Sequence, residues 1–325
     1  SVIVGAENPH RAKVFKPNDT ANIIFGDDAL ATVLVTRGGA SRSESGCPTT
    51  TVRFNAADDG ARKIAKKLAQ LTGPHKIDGI IVDNQLGQLL SRVPATAARI
   101  QHYLIEQLYP EETAKGTFKQ FRSALKFYDR HVNCFAFDIM TLEPHPDQVA
   151  NIANAYVTSG KYKSISSVYL APDRSVVLSL HKGKGHYDRK PKWGVIDSLT
   201  RTHGCFAHYI EVSPFTARED MFGKMDGKGV FLHATRGAKY HLDTLMSANN
   251  LAMDDIDLLI EHQANFAMIP LTLEQVLASD QKDSKKAAKD FIAQKMVTNI
   301  HVRGNCSVVC MQRLPYDLER RQLRA

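Results

Sequence analysis

Four short runs rich in Val, Ile and other apolar residues constrain this chain more than any other feature: IDGIIVD (Ile77–Asp83), CFAFDIM (Cys134–Met140), SISSVYLA (Ser164–Ala171) and IDLLIEH (Ile256–His262). Their apolar residues are near-continuous rather than alternating, the pattern of a strand covered on both faces. Amphipathic helices lie between them, over Asp58–Gly73, Pro146–Gly160 and Gly237–Asn250. Two of these stop at Gly and one at Asn, residues that tolerate the left-handed conformation closing a helix. Doubly covered strands alternating with helices predict an α/β architecture with mostly parallel strands.

With 325 residues, the chain is long enough to bury one large core or two medium ones. No apolar run approaches the ~20 residues needed to cross a bilayer, and SVIVGAENPHR lacks a basic segment followed by a long apolar stretch, so the chain reads as cytoplasmic, with no membrane partner. Cys47, Cys134, Cys205, Cys306 and Cys310 are odd in number and form no CxxC pair, which argues against a disulfide framework or a metal site. The net charge of +8 favours an anionic partner. Basic residues gather in HKGKGHYDRKPKWG (His181–Gly194), which holds Arg189, Lys190, Lys192 and Trp193, the only tryptophan. A solvated linker is the plain reading of that loop. Nucleic acid is the weaker alternative, because no aromatic-interleaved basic module or helix-turn-helix pattern accompanies the charge.

A helix, a short turn and an Ile-Asp opening a buried strand with a polar tip occur twice, at Ala61–Gln85 and Gly237–Gln263. Two copies of one unit suggest pseudo-twofold halves with a site where the polar strand ends meet. The second tip is IEHQANFAMI. A lone histidine there reads as a core imidazole with satisfied hydrogen bonds, but His262 is followed by Gln263 and Asn265.

MDGKGVF (Met225–Phe231), DDIDLLIEHQAN (Asp254–Asn265) and RGNCSVV (Arg303–Val309) resemble, in this order, segments of β-ketoacyl-acyl carrier protein synthase III in the thiolase-like superfamily. IDGIIVDNQLGQLLSRVPATAARIQ resembles that family's early strand and the helix after it. FAFDIM with PDQVANIANAYVTSGKYK resembles its nucleophile strand and helix, and IIFGDDALATVLV (Ile23–Val35) its Phe-Gly-Asp segment. The resemblance implies a layered αβαβα fold of two pseudo-twofold-related halves, with His262 and Asn305 as the two donors facing a thioester and Asn265 in the substrate site. It also implies CoA or an acyl-carrier phosphopantetheine thioester as substrate, no covalently bound cofactor, no metal, and a homodimer or a heterodimer with a homologue.

The chemistry suits the pair. When a malonyl thioester loses CO2, charge grows on the thioester oxygen, and each preplaced donor there is worth about 3 kcal/mol. Imidazole Nε2–H and a carboxamide N–H supply this while neutral; the plain reading of Asn305 is a Gly-Asn turn. The departures from the family are equally specific. Its nucleophilic Cys is missing: FDIM runs on through Thr141 and Leu142 to Glu143, and the spacing from there to Gly160 is kept. Cys134, inside the strand, reads as a buried small hydrophobe, so the usual acyl-enzyme has no thiolate. Pro144, His145 and Pro146 replace the family's Ser-Gly-Phe; prolines are tolerated in a first helical turn. Glu143 beside that helix start is a plain N-terminal carboxylate favoured by the helix dipole, a general base, or an acyl-carboxylate mimic.

The segments are also reordered relative to the family. Residues 1–40 read as a displaced strand pair with the Phe-Gly-Asp segment, 41–185 as the N-terminal thiolase-like half and 186–325 as the C-terminal half; the other reading is an irregular N-terminal element, or a chain that is one piece of a larger assembly. The C-terminus stops before the family's last two strands, leaving a sheet edge that something should cover. Three functions follow: an acyl-thioester enzyme (malonyl-thioester decarboxylase or acyltransferase) working through His262, Asn305 and Glu143; a noncatalytic partner of a Cys-containing homologue; and a basic binding protein. The basic loop, with Arg189, Lys190, Lys192 and Trp193, suits the phosphates of CoA or an acidic carrier protein.

Overall fold

The computed structural model describes residues 2–7, 28–33, 49–55, 60–72, 77–85, 95–141, 145–171, 173, 175–183, 195–212, 223–277, 283–306 and 308–319. The chain forms two compact units, one of Ser1–Arg42 with Met221–Ala325 and one of Ser43–Asp220. In the first unit, β1 (Val2–Glu7) and β2 (Asp28–Val33) pair antiparallel, Val2 opposite Val33 and Glu7 opposite Asp28.

The second unit is built on a five-stranded sheet. Its elements are β3 (Thr49–Asn55), α1 (Gly60–Thr72), β4 (Gly79–Gln85), α2 (Thr96–Leu108), α3 (Pro110–Ala114), α4 (Phe121–His131), β5 (Phe135–Thr141), α5 (Pro146–Thr158), β6 (Ser164–Leu170) and β7 (Ser175–Lys182). The order across the sheet is β3-β7-β6-β4-β5. β6, β4 and β5 run parallel, while β7 and β3 add two antiparallel pairs at one side. The sheet is therefore mixed, where the sequence predicts a mostly parallel one; the short Ala171–Arg174 link between β6 and β7 permits only a hairpin, since a parallel return needs a long crossover.

The three parallel strands are the predicted ones, and their continuous apolar character has a structural cause. Ile80 and Val82 of β4 face a layer made with Ile64 and Leu68 of α1, Ile100 and Leu104 of α2 and Tyr128 of α4, while Ile81 faces Val149, Ala153 and Val157 of α5. The chain moves outward from β4 to β5 and then back past β4 to β6, and with right-handed crossovers that reversal places the connecting helices on opposite faces. Gly79 is needed where it stands, because a Cβ there would run into the ring of Phe135 on the neighbouring strand. At the end of α5, Gly160 takes φ 80° as predicted.

Returning to the first unit, α6 (Gly227–Asn249) begins ten residues before the predicted Gly237 and is capped by Asp226, whose carboxylate accepts from Gly229 N–H at 2.9 Å. It ends, as predicted, at Asn250 with φ 54°. α7 (Met268–Leu277) and α8 (Ser284–Lys295) bury Ile269, Leu273 and Leu277 against Ala288, Phe291 and Met296. The short α9 (Ile300–Arg303) and α10 (Val308–Glu319) follow. Ile256–His262 does not form the predicted buried strand. It makes a single parallel bridge, Leu259 to Met296, with Leu259 N–H donating to Lys295 O at 2.8 Å, and Leu258 and Ile260 are 38% and 37% exposed. The second copy of the repeated unit thus has its helix but not its strand: an apolar run becomes a strand only beside a partner strand, and among the described residues none pairs along it.

Candidate functional site

In the first unit, the polar residues of IEHQANFAMI divide into a buried clamp and an exposed rim. Gln263 is fully buried. Its Nε2 donates to Val297 O at 2.8 Å, and its Oε1 accepts from Asn299 N at 3.0 Å and Ile300 N at 3.2 Å. One side chain therefore holds the turn leading into α9, whose first amides have no intrahelical acceptor. Asn299 Nδ2 donates to the buried carboxylate of Asp317 at 3.3 Å, and Arg303 Nη2 pairs with the same group at 3.2 Å. A buried charge needs this kind of pairing and hydrogen bonding.

Gly304 takes φ 70° and ψ −172°, a conformation essentially reserved for glycine. It turns the chain so that Asn305, 3% exposed, donates from Nδ2 to Ala264 O at 3.3 Å. The Gly-Asn-Cys turn and the His-Gln-Ala-Asn segment are thus joined directly. Cys306 is fully buried, its thiol donating to Arg303 O at 3.3 Å.

His262 is exposed, not at the end of a buried strand, because the strand that would have carried it inward is not formed. Asn265 is exposed as well, its Oδ1 accepting from Ala267 N at 2.9 Å. Beside His262, burial pushes the Glu261 carboxyl up to about 7, so it exchanges protons near neutral pH. Sequence reasoning missed Glu261, Asp317 and the clamping role of Gln263. A buried glutamine between two exposed polar residues leaves no periodic signal, and Asp317 sits in an otherwise ordinary charged helix end.

In the second unit, the parallel strands present their carboxyl ends together, where open α/β sheets bind ligands. Asp83 is buried at the end of β4. Asp138 on β5 accepts from the first-turn amides of α2, from Thr96 N at 2.9 Å and Ala97 N at 2.7 Å, a charge-assisted cap at the positive end of a helix. Glu143 lies outside the described residues, as do Arg189, Lys190, Lys192 and Trp193. The helix after Glu143 starts as predicted, with Pro146 in its first turn and His145 at the cap, its Nδ1 accepting from Asp147 N at 3.2 Å. Cys134 is buried and desolvation raises its thiol well above the ordinary range, so it is a poor thiolate.

Among the described residues no cluster of three or more His, Cys, Asp or Glu side chains is placed to hold a metal ion, and no helix is long and apolar enough to cross a membrane.

No protein-family model matches the chain. It is 28% identical over 193 residues to a β-ketoacyl-[acyl-carrier-protein] synthase III of Helicobacter pylori, covering 53% of this chain and 54% of that protein. The same enzyme of Rickettsia felis is 26% identical over 190 residues, covering 54% of this chain and 60% of that protein. The chain thus spans little more than half the length of the curated relatives it matches. A solved 3-oxoacyl-(acyl-carrier protein) synthase from Burkholderia xenovorans aligns over 98% of this chain and 85% of its own at 16% identity, with a TM-score of 0.32. The relation to ketoacyl synthase III rests on the sequence matches.

Proposed function

We propose that this relation extends to chemistry, and that the chain is a ketosynthase-III-like acyl-thioester protein with thiolase-like halves, acting as a malonyl-thioester decarboxylase or acyltransferase with Glu143 in the place of a cysteine nucleophile. The observation that carries the reading is the Asn305 Nδ2 to Ala264 O hydrogen bond, which ties the two donor-bearing segments together over the buried Gln263 clamp. In decarboxylation, the bond between the malonyl carboxylate and its α-carbon breaks and the electron pair moves into the thioester enolate. His262 N–H and the Asn305 carboxamide donate to its oxygen, with Asn265 at the substrate. CO2 leaves, and the α-carbon takes a proton from water or from an acid such as Glu261, whose carboxyl titrates at about 7. Acyl-CoA or acyl carrier protein brings the thioester, and the loop with Arg189, Lys190, Lys192 and Trp193 docks its anionic end.

A noncatalytic partner subunit is the second reading, and the exposure of His262 favours it, because an oxyanion donor gains most where water is excluded. The test is CO2 release from malonyl-CoA and malonyl carrier protein. His262→Ala and Asn305→Ala should each lower turnover on the order of 10²–10³-fold. Glu143→Cys should yield an acyl adduct with acyl-CoA by mass spectrometry. Absence of both CO2 release and the adduct replaces the enzyme with the partner subunit.

A further inference from the structure

The five-stranded sheet has two edges, and they are treated differently. Along β5 the edge is closed by the chain itself. Thr202 Oγ1 accepts from Ala136 N at 2.9 Å and donates to Ala136 O at 2.8 Å, so one hydroxyl makes both bonds a neighbouring strand would make. That strap is held firmly. The fully buried Gln101 donates to Cys134 O and to Thr202 O and accepts from Gly204 N at 2.7 Å, while Arg201 and His203 both reach Asp129, at 3.4 and 3.2 Å.

β3 has no such cover. Among the described residues it pairs only with β7, in unbroken register from Thr49 opposite His181 to Asn55 opposite Ser175. Natural edge strands are guarded by proline, bulges, several charges or short length. TTTVRFN has one charge, Arg53, and neither proline nor bulge over its seven residues. Thr49, Thr50, Thr51, Arg53 and Asn55 are exposed, and Val52 and Phe54 are only half-buried at the margin of the core layer.

We infer that β3 is a self-association edge, through which two copies of the chain pair antiparallel about a twofold axis at Val52. Symmetry and side-chain faces select the register. A twofold axis perpendicular to the sheet pairs only residues that share a face. Centring on Val52 overlaps the whole strand: Val52 meets Val52, Thr51 meets Arg53, Thr50 meets Phe54 and Thr49 meets Asn55. Centring on Arg53 sets guanidinium against guanidinium, and like charges directly opposite are destabilising; centring on Thr51 forfeits the pairing of Phe54. The favoured register opposes no like charges, gives the half-buried Val52 and Phe54 cross-strand neighbours, and meets the isologous requirement of a C2 interface. A strand edge is small beside the roughly 800 Å² per partner of a standard interface, so the pairing is expected to be reversible in the micromolar range. This inference is independent of the proposed thioester chemistry.

Sedimentation of the full chain should show the average mass rising from monomer toward dimer as concentration increases from about 1 to about 100 µM. Val52→Lys should raise the dissociation constant at least tenfold with an unchanged far-UV spectrum. The register is tested by cross-linking in a Cys47→Ser background, since directly opposed strand residues bring their Cβ atoms within disulfide reach. Val52→Cys should form a disulfide-linked dimer under mild oxidation. Phe54→Cys alone should not, but should link to Thr50→Cys when the two proteins are mixed. A monomer at every concentration, a dimer indifferent to Val52→Lys, or equal cross-linking of Val52→Cys and Phe54→Cys overturns the inference.

Discussion

Removing the Gln263 side chain is the sharpest test of how the donor-bearing segment is held. Gln263→Ala deletes three hydrogen bonds, one to Val297 O and two from the amides of Asn299 and Ile300, at a residue with no exposed surface. At about 1 kcal/mol for each bond lost, the cost is roughly 3 kcal/mol, a large part of the 5–15 kcal/mol by which a domain is usually stable. Hydrogen exchange followed by mass spectrometry reads this locally: the Asn299 and Ile300 amides should exchange on the order of 10²-fold faster, since each 1.4 kcal/mol is tenfold. Gln263→Glu separates donor from acceptor. It keeps the volume and the oxygen facing the two amides but sets a carboxylate oxygen against Val297 O. Its penalty should therefore shrink as pH falls and the acid protonates, whereas the Gln263→Ala penalty should not. If Gln263→Ala leaves both amides protected to within threefold, the clamp is not what holds the segment and the reasoning fails.

Two pH effects of opposite sign follow from buried groups. His181, 1% exposed, donates from Nδ1 to Asn154 Oδ1 at 2.9 Å and accepts at Nε2 from the Ser167 hydroxyl at 2.7 Å, and burial lowers its pKa. The unfolded chain then binds the extra proton more readily, so stability is full above about pH 6.5 and falls below it; urea melts of His181→Gln should lose that slope. Glu261 is raised from 4.5 to about 7, so its contribution is present at low pH and is lost as pH rises from 4.5 through 7. Glu261→Gln should flatten stability across that window, and an unchanged slope would show that its burial is not maintained. For the basic loop, replacing Arg189, Lys190 and Lys192 with Ala should weaken acyl-CoA binding and flatten its salt dependence by calorimetry; unchanged affinity and slope would remove the loop from the site.

The sequence by itself determined the elements whose signals are local. Gly160 and Asn250 mark helix ends because the left-handed residue is specified by the residue type at that position. Pro146 and His145 mark the start of α5, and the apolar runs of β4, β5 and β6 announce strands covered on both faces because both faces are covered. The segments carrying Asn305 and the His-Gln-Ala-Asn run were legible through the pattern of residues around them. Only the tertiary structure decided what depends on distant partners. Ile256–His262 reads as apolar as Ile77–Asp83, yet β4 has strands on both sides while the later run has a single bridge, and a strand is completed by its neighbours' hydrogen bonds rather than by its own side chains. The same reason hid the pairing of β3 with β7, the two bonds between the Thr202 hydroxyl and the Ala136 backbone of β5, and the three bonds of Gln263: each joins residues more than thirty positions apart in the chain, and a pairing of that kind is settled by which surfaces meet in space, which no local window of sequence records.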